Sequence, residues 1–202
     1  MEKPAVTDHP IHALLAGRWS PYGFADRDVS REDLRSLFEA ARWAPSSYNE
    51  QPWSYLVATR GDRDAFARML SCLVEGNQAW ARHAPVLALG VTRERFTRND
   101  KPNAAALHDL GLAAGGLLVE ATARGICVHQ MIGILPDRAR ELYGIPDHSR
   151  ALTGIAIGYA GAGAEVPEAL RERDLAPRTR KPLADFVFGA RYGEPSKLVS
   201  EG

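Results

Sequence analysis

Ala44-Pro45-Ser46-Ser47-Tyr48-Asn49-Glu50-Gln51-Pro52-Trp53 sets two prolines around a run in which every side chain from Ser46 to Gln51 carries a hydrogen-bonding group. A residue before proline is pushed out of the helical region, so Ala44-Pro45 ends any helix that reaches it. Upstream, Ser30 with Asp33 has the form of a capping box, and Leu34, Leu37, Phe38 and Ala41 follow at helical spacing, predicting a helix that runs toward Trp43. Downstream, Tyr55-Leu56-Val57-Ala58 predicts a short strand. The turn thus presents hydroxyls and amides from a segment anchored at both ends.

The alternation continues outward. Asp62 is expected to cap a second helix, with Phe66, Met69, Leu70 and Leu73 as its apolar stripe and Gly76 as its end. The continuous apolar run 86–91 predicts a central strand covered on both faces. Residues 103–124 predict a long apolar helix closed by Gly125. Each member of its Gly115-Gly116 pair costs about 1 kcal/mol relative to alanine, which points to a close helix contact more than to a hinge. A short strand at 126–128, a helix at 136–143 closed by Gly144 and a buried strand at 152–159 follow. Residues 161–181, rich in Gly, Pro, Glu and Arg and without periodicity, read as a surface excursion before Phe186-Val187-Phe188 resumes order. With no internal repeat, residues 1–202 read as a single α+β domain.

Composition bounds the possible functions. A chain that is 45% hydrophobic and 25% charged is globular. Its 25 basic and 25 acidic residues cancel, leaving no global field for nucleic acid or anionic lipid. No apolar run approaches the roughly 18 residues of a membrane helix, and the start lacks a signal core. Cys72 and Cys127 stand apart among apolar neighbours, in no metal-like spacing, and are expected to be buried thiols of a cytoplasmic protein.

There is no nucleophile elbow, HExxH, paired CxxC or GxxxxGK loop, so neither a protein catalytic group nor a metal site is expected, and the chemistry falls to a cofactor. Gly158, Gly161 and Gly163 run G-x-x-G-x-G and lead into Glu165-Val166-Pro167, the wrong order and the wrong sequel for a dinucleotide fingerprint. Arg18-Trp19-Ser20 offers a guanidinium fork and a hydroxyl to a phosphate, while the amides of 44–53 are suited to reading a planar heterocycle.

Taken together and in this order, these motifs resemble the FMN-dependent nitroreductase family over about residues 11–195. The resemblance implies a mixed, mostly antiparallel sheet flanked by helices, in an obligate two-fold dimer with a flavin at each subunit interface. It places Arg18 and Ser20 on the FMN phosphate with backbone contacts from Trp19. Pro45, Ser46, Ser47 and Asn49, with Gln51 after them, reach the isoalloxazine from the partner subunit. Asn77, seven residues before Ala84-Pro85, would bond the flavin pyrimidine, or else simply end a helix beside Gly76. Gln130, Met131 and Gly133 lie along one flavin face. His129 before them is either an acid or a packed histidine. Arg191, in Phe188-Gly189-Ala190-Arg191-Tyr192-Gly193, would return to the phosphate and pair with Arg18, as the C-terminal segment crosses to the partner. Many members carry Lys or Arg where Tyr22 stands, near flavin N1 and O2. Tyr22 would bring one hydrogen bond and no charge there, unless it packs against Phe24 or Arg27 or Arg124 supplies the charge. The implied activity is ping-pong reduction of a small oxidant, such as a nitroaromatic, quinone or enal, at the expense of NADH or NADPH. Flavin binding or sequestration without turnover is the alternative.

Overall fold

A computed structural model of the chain, which describes residues 3–161 and 166–199, builds its sheet around the apolar run expected at its centre. Strand β2 (Val86–Arg93) pairs with β1 (Trp53–Thr59) on one side and β4 (Ser149–Gly158) on the other, and β3 (Cys127–Met131) adds to β4, giving the order β1-β2-β4-β3. All three pairings are antiparallel, and no parallel pair occurs among the described residues. Successive side chains of a strand point to opposite faces, so Val86 and Ala88 enter one core and Leu87 and Leu89 the other. Both faces are covered, which explains an uninterrupted apolar run.

One face carries α2 (Arg31–Arg42) and α5 (Ala106–Ala123), through Leu37, Ala41, Leu117 and Ala121. The other carries α3 (Arg63–Leu70), α4 (Glu75–Ala81) and α6 (Pro136–Tyr143), through Met69, Trp80 and Ala139. Burying each large apolar side chain contributes about 1.5–3 kcal/mol. Ser30 caps α2 by accepting from the Asp33 N–H, as the capping box predicts. Where α5 crosses α2, a Cβ on Gly116 would stand 2.9 Å from the Ala40 carbonyl oxygen, whereas one on Gly115 would meet nothing within 4 Å. The close contact expected of the pair belongs to Gly116.

Three expectations are corrected. The helix capped by Asp62 stops at Leu70 instead of reaching Gly76, because 72–74 leave the helix to pair with 133–135. Val74 N–H donates to the Gly133 carbonyl, Leu135 N–H donates to the Cys72 carbonyl, and Leu73 bridges Ile134. Gly76 and Asn77 then fall inside α4. The excursion 161–181 contains a helix, α7 (Glu168–Leu175), that buries no residue and so has no apolar stripe to read. Residues 186–188 form no strand, only a bridge from Phe188 to Pro195 beyond a short 3-10 turn. Gly158 and Gly161 leave room for Pro85, Phe24 and Ala25, which is a packing role; Gly163 and Glu165 lie outside the described residues. Cys72 and Cys127 are free thiols, and burial raises the pKa of both.

Candidate active site

Arg18 follows the short helix α1 (Ala13–Gly17), and its Nη1 donates to Ser20 Oγ at 3.0 Å. It opens on a cavity of about 1000 Å³ whose walls include Leu15, Arg178, Arg180, Lys181 and Phe186. Burial lowers the pKa of Arg18, and the nearby Arg178 and Arg180 guanidiniums lower it further. Among the described residues none of these arginines forms an ion pair with a carboxylate. Asp8 is the one carboxylate in the lining, against Arg18, Arg178, Arg180 and Lys181, and an excess of partly desolvated positive charge attracts an anion. Arg178 also braces the wall, its Nη1 donating to the Lys3 and Ala16 carbonyls at 2.8 and 2.6 Å. The wall is tied from α7 as well, where the Asp174 carboxylate accepts the Tyr22 and Gly23 N–H groups at 2.9 Å. Trp19 is buried beneath the ammonium of Lys3, 5.3 Å from its ring centroid.

The clamp expected between Arg18 and Arg191 is not formed within the chain. Arg191 is exposed in the turn closed by Phe188 and Pro195, and it does not line this cavity. Within the chain it is Arg178 and Arg180 that stand beside Arg18. The available signal is the run Arg178-Thr179-Arg180-Lys181, a local basic cluster in a chain of zero net charge.

Beyond Ser20 lies an aromatic floor whose rings do not line that cavity. Tyr22, Trp80 and His129 pack together, the His129 ring 4.7 Å from Tyr22 and 4.5 Å from Trp80 between centroids. His129 Nδ1 lies 2.9 Å from the Pro21 carbonyl oxygen, so that nitrogen carries the proton, and burial depresses the ring's pKa. It is a packed histidine. Tyr22 turns its ring onto Trp80 and His129 and packs against the core cluster that holds Phe24, the packing considered for it. Asn77 on α4 ties this floor to the end of β3. Its Nδ2 donates to the Gly133 carbonyl at 2.9 Å, and its Oδ1 accepts from Trp80 Nε1 at 3.3 Å. A Cβ on Gly133 would crowd the Asn77 amide and the Val74 side chain, so glycine there keeps the contact as it stands. Gln130 and buried Met131 end β3, and Gln130, Met131 and exposed Ile132 share a small apolar cavity of about 160 Å³ with Leu107, Gly111 and Ala114 of α5.

The turn 44–53 is held elsewhere. It leads into β1, at one edge of the sheet, whereas Gln130 to Gly133 leave β3 at the other. Three strand spacings put those edges about 14 Å apart. Within the turn Tyr48, Asn49 and Gln51 have φ of 54°, 54° and 51°. Left-handed backbone costs roughly 1–2 kcal/mol per residue other than glycine, and less for asparagine. Ser46 Oγ accepts the Gln51 N–H at 3.0 Å, Asp109 of α5 accepts the Ser47 N–H at 3.0 Å, and Glu50 accepts the Thr97 N–H at 2.6 Å. Pro45 is exposed, with Ser46 and Ser47 half-buried behind it. The structure therefore gathers Arg18, Ser20, Tyr22, Asn77 and Gln130 to Gly133 along one edge and leaves Pro45, Ser46, Ser47 and Asn49 at the other.

The sequence profile of the nitroreductase family matches residues 15–159. The chain is 32% identical over 148 residues to an uncharacterized 15.4 kDa protein of Mycolicibacterium smegmatis, covering 70% of this chain and 98% of that one. It is 27% identical over 197 residues to a nitroreductase of the same species, covering 76% and 84%. Among solved structures, one described as an oxidoreductase containing FMN superposes with a TM-score of 0.88 at 35% identity, over 94% of this chain and 96% of that one.

Proposed function

The chain belongs to the nitroreductase family, and from that premise we propose that it is a cytoplasmic FMN-dependent oxidoreductase. It takes electrons from NADH or NADPH and reduces a small organic acceptor such as a nitroaromatic, quinone or enal. It works as a homodimer whose flavin sites each draw on both subunits. One observation carries the cofactor: Arg18, Arg178 and Arg180, none of them ion-paired among the described residues, converge with Lys181 on a cavity of about 1000 Å³ that holds one carboxylate, Asp8, and so keeps an excess of positive charge; its size is at the upper end of that usual for small-molecule sites. A phosphate dianion supplies the missing charge and suits the guanidinium fork. When bound, FMN supplies hydride and electron transfer between donor and acceptor.

The protein's part is binding, orientation and exclusion of water. Arg18, Ser20 and Arg180 hold the phosphate. Trp19 fixes the backbone between Arg18 and Ser20. Tyr22, Asn77, Gln130, Met131 and Gly133 border the ring. Asn77 retains a second N–H and a second lone pair for it. Pro45, Ser46, Ser47 and Asn49 arrive from the partner, since their own chain holds them at the far edge of the sheet.

The purified protein should be yellow, bleach under NADH or NADPH and recolour with an acceptor. Binding without bleaching would favour a flavin carrier. Losing one charge-assisted contact costs about 1.5–3 kcal/mol, so Arg18→Ala and Arg180→Ala should each weaken FMN binding about tenfold to a hundredfold. Unchanged affinity in both would overturn the phosphate assignment.

A further inference from the structure

We infer that Asp109 is the positioning residue of the flavin-facing turn, its buried carboxylate holding Ser47 so that Ser46, Ser47 and Asn49 are presented to the flavin of the second subunit. This rests on the reading of 44–53 as the segment that serves the flavin in trans. Asp109 is only 2% exposed, an unusual setting for a carboxylate, and it accepts the Ser47 N–H at 3.0 Å across 62 residues of sequence. Its other oxygen lies 3.0 Å from His108 Nδ1. It stands in the first turn of α5. A buried carboxylate left without partners is costly, so Asp109 holds the N–H firmly.

The turn needs such a tether. Tyr48, Asn49 and Gln51 are all left-handed. The Tyr48 ring is 76% exposed and Asn49 and Gln51 are exposed too, so apolar burial does not keep them there. The bonds among Ser46, Asn49 and Gln51 travel with the turn and do not orient it. Ties to other elements run two ways: to the exposed loop 96–98, through Glu50 to Thr97 and the Tyr48 ring against Phe96 and Arg98, and to the long helix α5, through Ser47 to the buried Asp109. The second refers the turn to a helix packed in the core instead of to a loop.

The test uses the full dimeric protein and Asp109→Leu, Asp109→Ser and Asp109→Asn. Leucine cannot accept the Ser47 N–H and serine is too short to reach it. The asparagine amide oxygen can still accept. In FMN-free protein, amide hydrogen exchange across 46–51 should accelerate in Asp109→Leu and Asp109→Ser, with the rest of the chain unchanged. FMN dissociation constants should rise about tenfold or more in both, with sedimentation still showing dimer, and about threefold or less in Asp109→Asn. If Asp109→Leu does not fold, Asp109→Ser carries the same test. A folded, dimeric Asp109→Leu or Asp109→Ser with wild-type exchange and FMN affinity overturns the inference. Asn49→Ala separates it from its premise. If Asn49→Ala alters FMN affinity while Asp109→Ser does not, the role of Asp109 alone fails. If Asn49→Ala leaves affinity and visible spectrum unchanged, the trans reading of the turn fails and the inference with it.

Discussion

The imidazole of His129 sits between the rings of Tyr22 and Trp80 and donates from Nδ1 to the Pro21 carbonyl. Burial favours its neutral form and lowers its pKa, against a smaller opposing effect of the hydrogen bond. The consequence for stability has a definite sign. Above an ordinary histidine pKa of about 6.5, folded and unfolded chains both carry a neutral ring. As the pH falls below that value the unfolded chain takes up the proton first, and stability is lost until the pH passes the depressed value of the folded ring. Replacing His129 by glutamine should therefore flatten the fall of the urea midpoint on the acid side of about pH 6.5. Equal slopes in wild type and His129→Gln would show that the ring charges equally in both states. Sequence alone leaves His129 open between acid and packing residue, because the enclosing Trp80 and Tyr22 are brought to it only by tertiary structure. Arg180 shows in the sequence only as part of a basic run; that it meets Arg18 depends on the path of α7, which the sequence does not announce.

Helix ends were legible where single residues punctuate the chain. Pro136 begins α6 and Gly144, in the left-handed conformation, closes it. Elements lost to view were those held by something other than an apolar stripe. α7 is tied by Asp174 to Tyr22 and Gly23 and by the Lys3 ammonium to the Arg173 and Asp174 carbonyls. The break between α3 and α4 comes from pairing with 133–135, a long-range event. Gly116 makes the packing of α5 on α2 testable. Alanine would gain about 1 kcal/mol of helix propensity, yet its Cβ would press on the Ala40 carbonyl at 2.9 Å, and forcing backbone apart in a packed interior costs about 1–3 kcal/mol. Gly116→Ala should be destabilised in chemical unfolding, with Gly76→Ala on α4, whose Cβ meets nothing within 4 Å, as the control. A Gly116→Ala protein as stable as the control would mean that the two helices separate freely.

At the scale of the whole molecule, a single chain holds the pieces of its site apart. The turn 44–53 and the segment 130–133 leave opposite edges of the sheet, a separation fixed by the strand order β1-β2-β4-β3 and invisible before that order is known. In the proposed dimer, a two-fold axis would bring each turn to the other subunit's β3 edge at once, the isologous arrangement usual in dimers. The middle helix offers the surface for it. Leu107, Gly111, Leu112 and Gly115 stand on the outer side of α5, and a Cβ on Gly111 or Gly115 would meet nothing within 4 Å in the single chain. Small residues four apart let a second helix approach closely. If folding and association are coupled, the thermal midpoint should rise with protein concentration. Gly115→Leu sharpens the test, because its side chain has room in the isolated subunit and none against a closely packed copy. The variant should sediment as monomer at concentrations where wild type is dimeric, and lose FMN affinity with the partner's turn. A Gly115→Leu protein that remains dimeric and fully loaded with FMN would place the two-fold axis away from this face of α5.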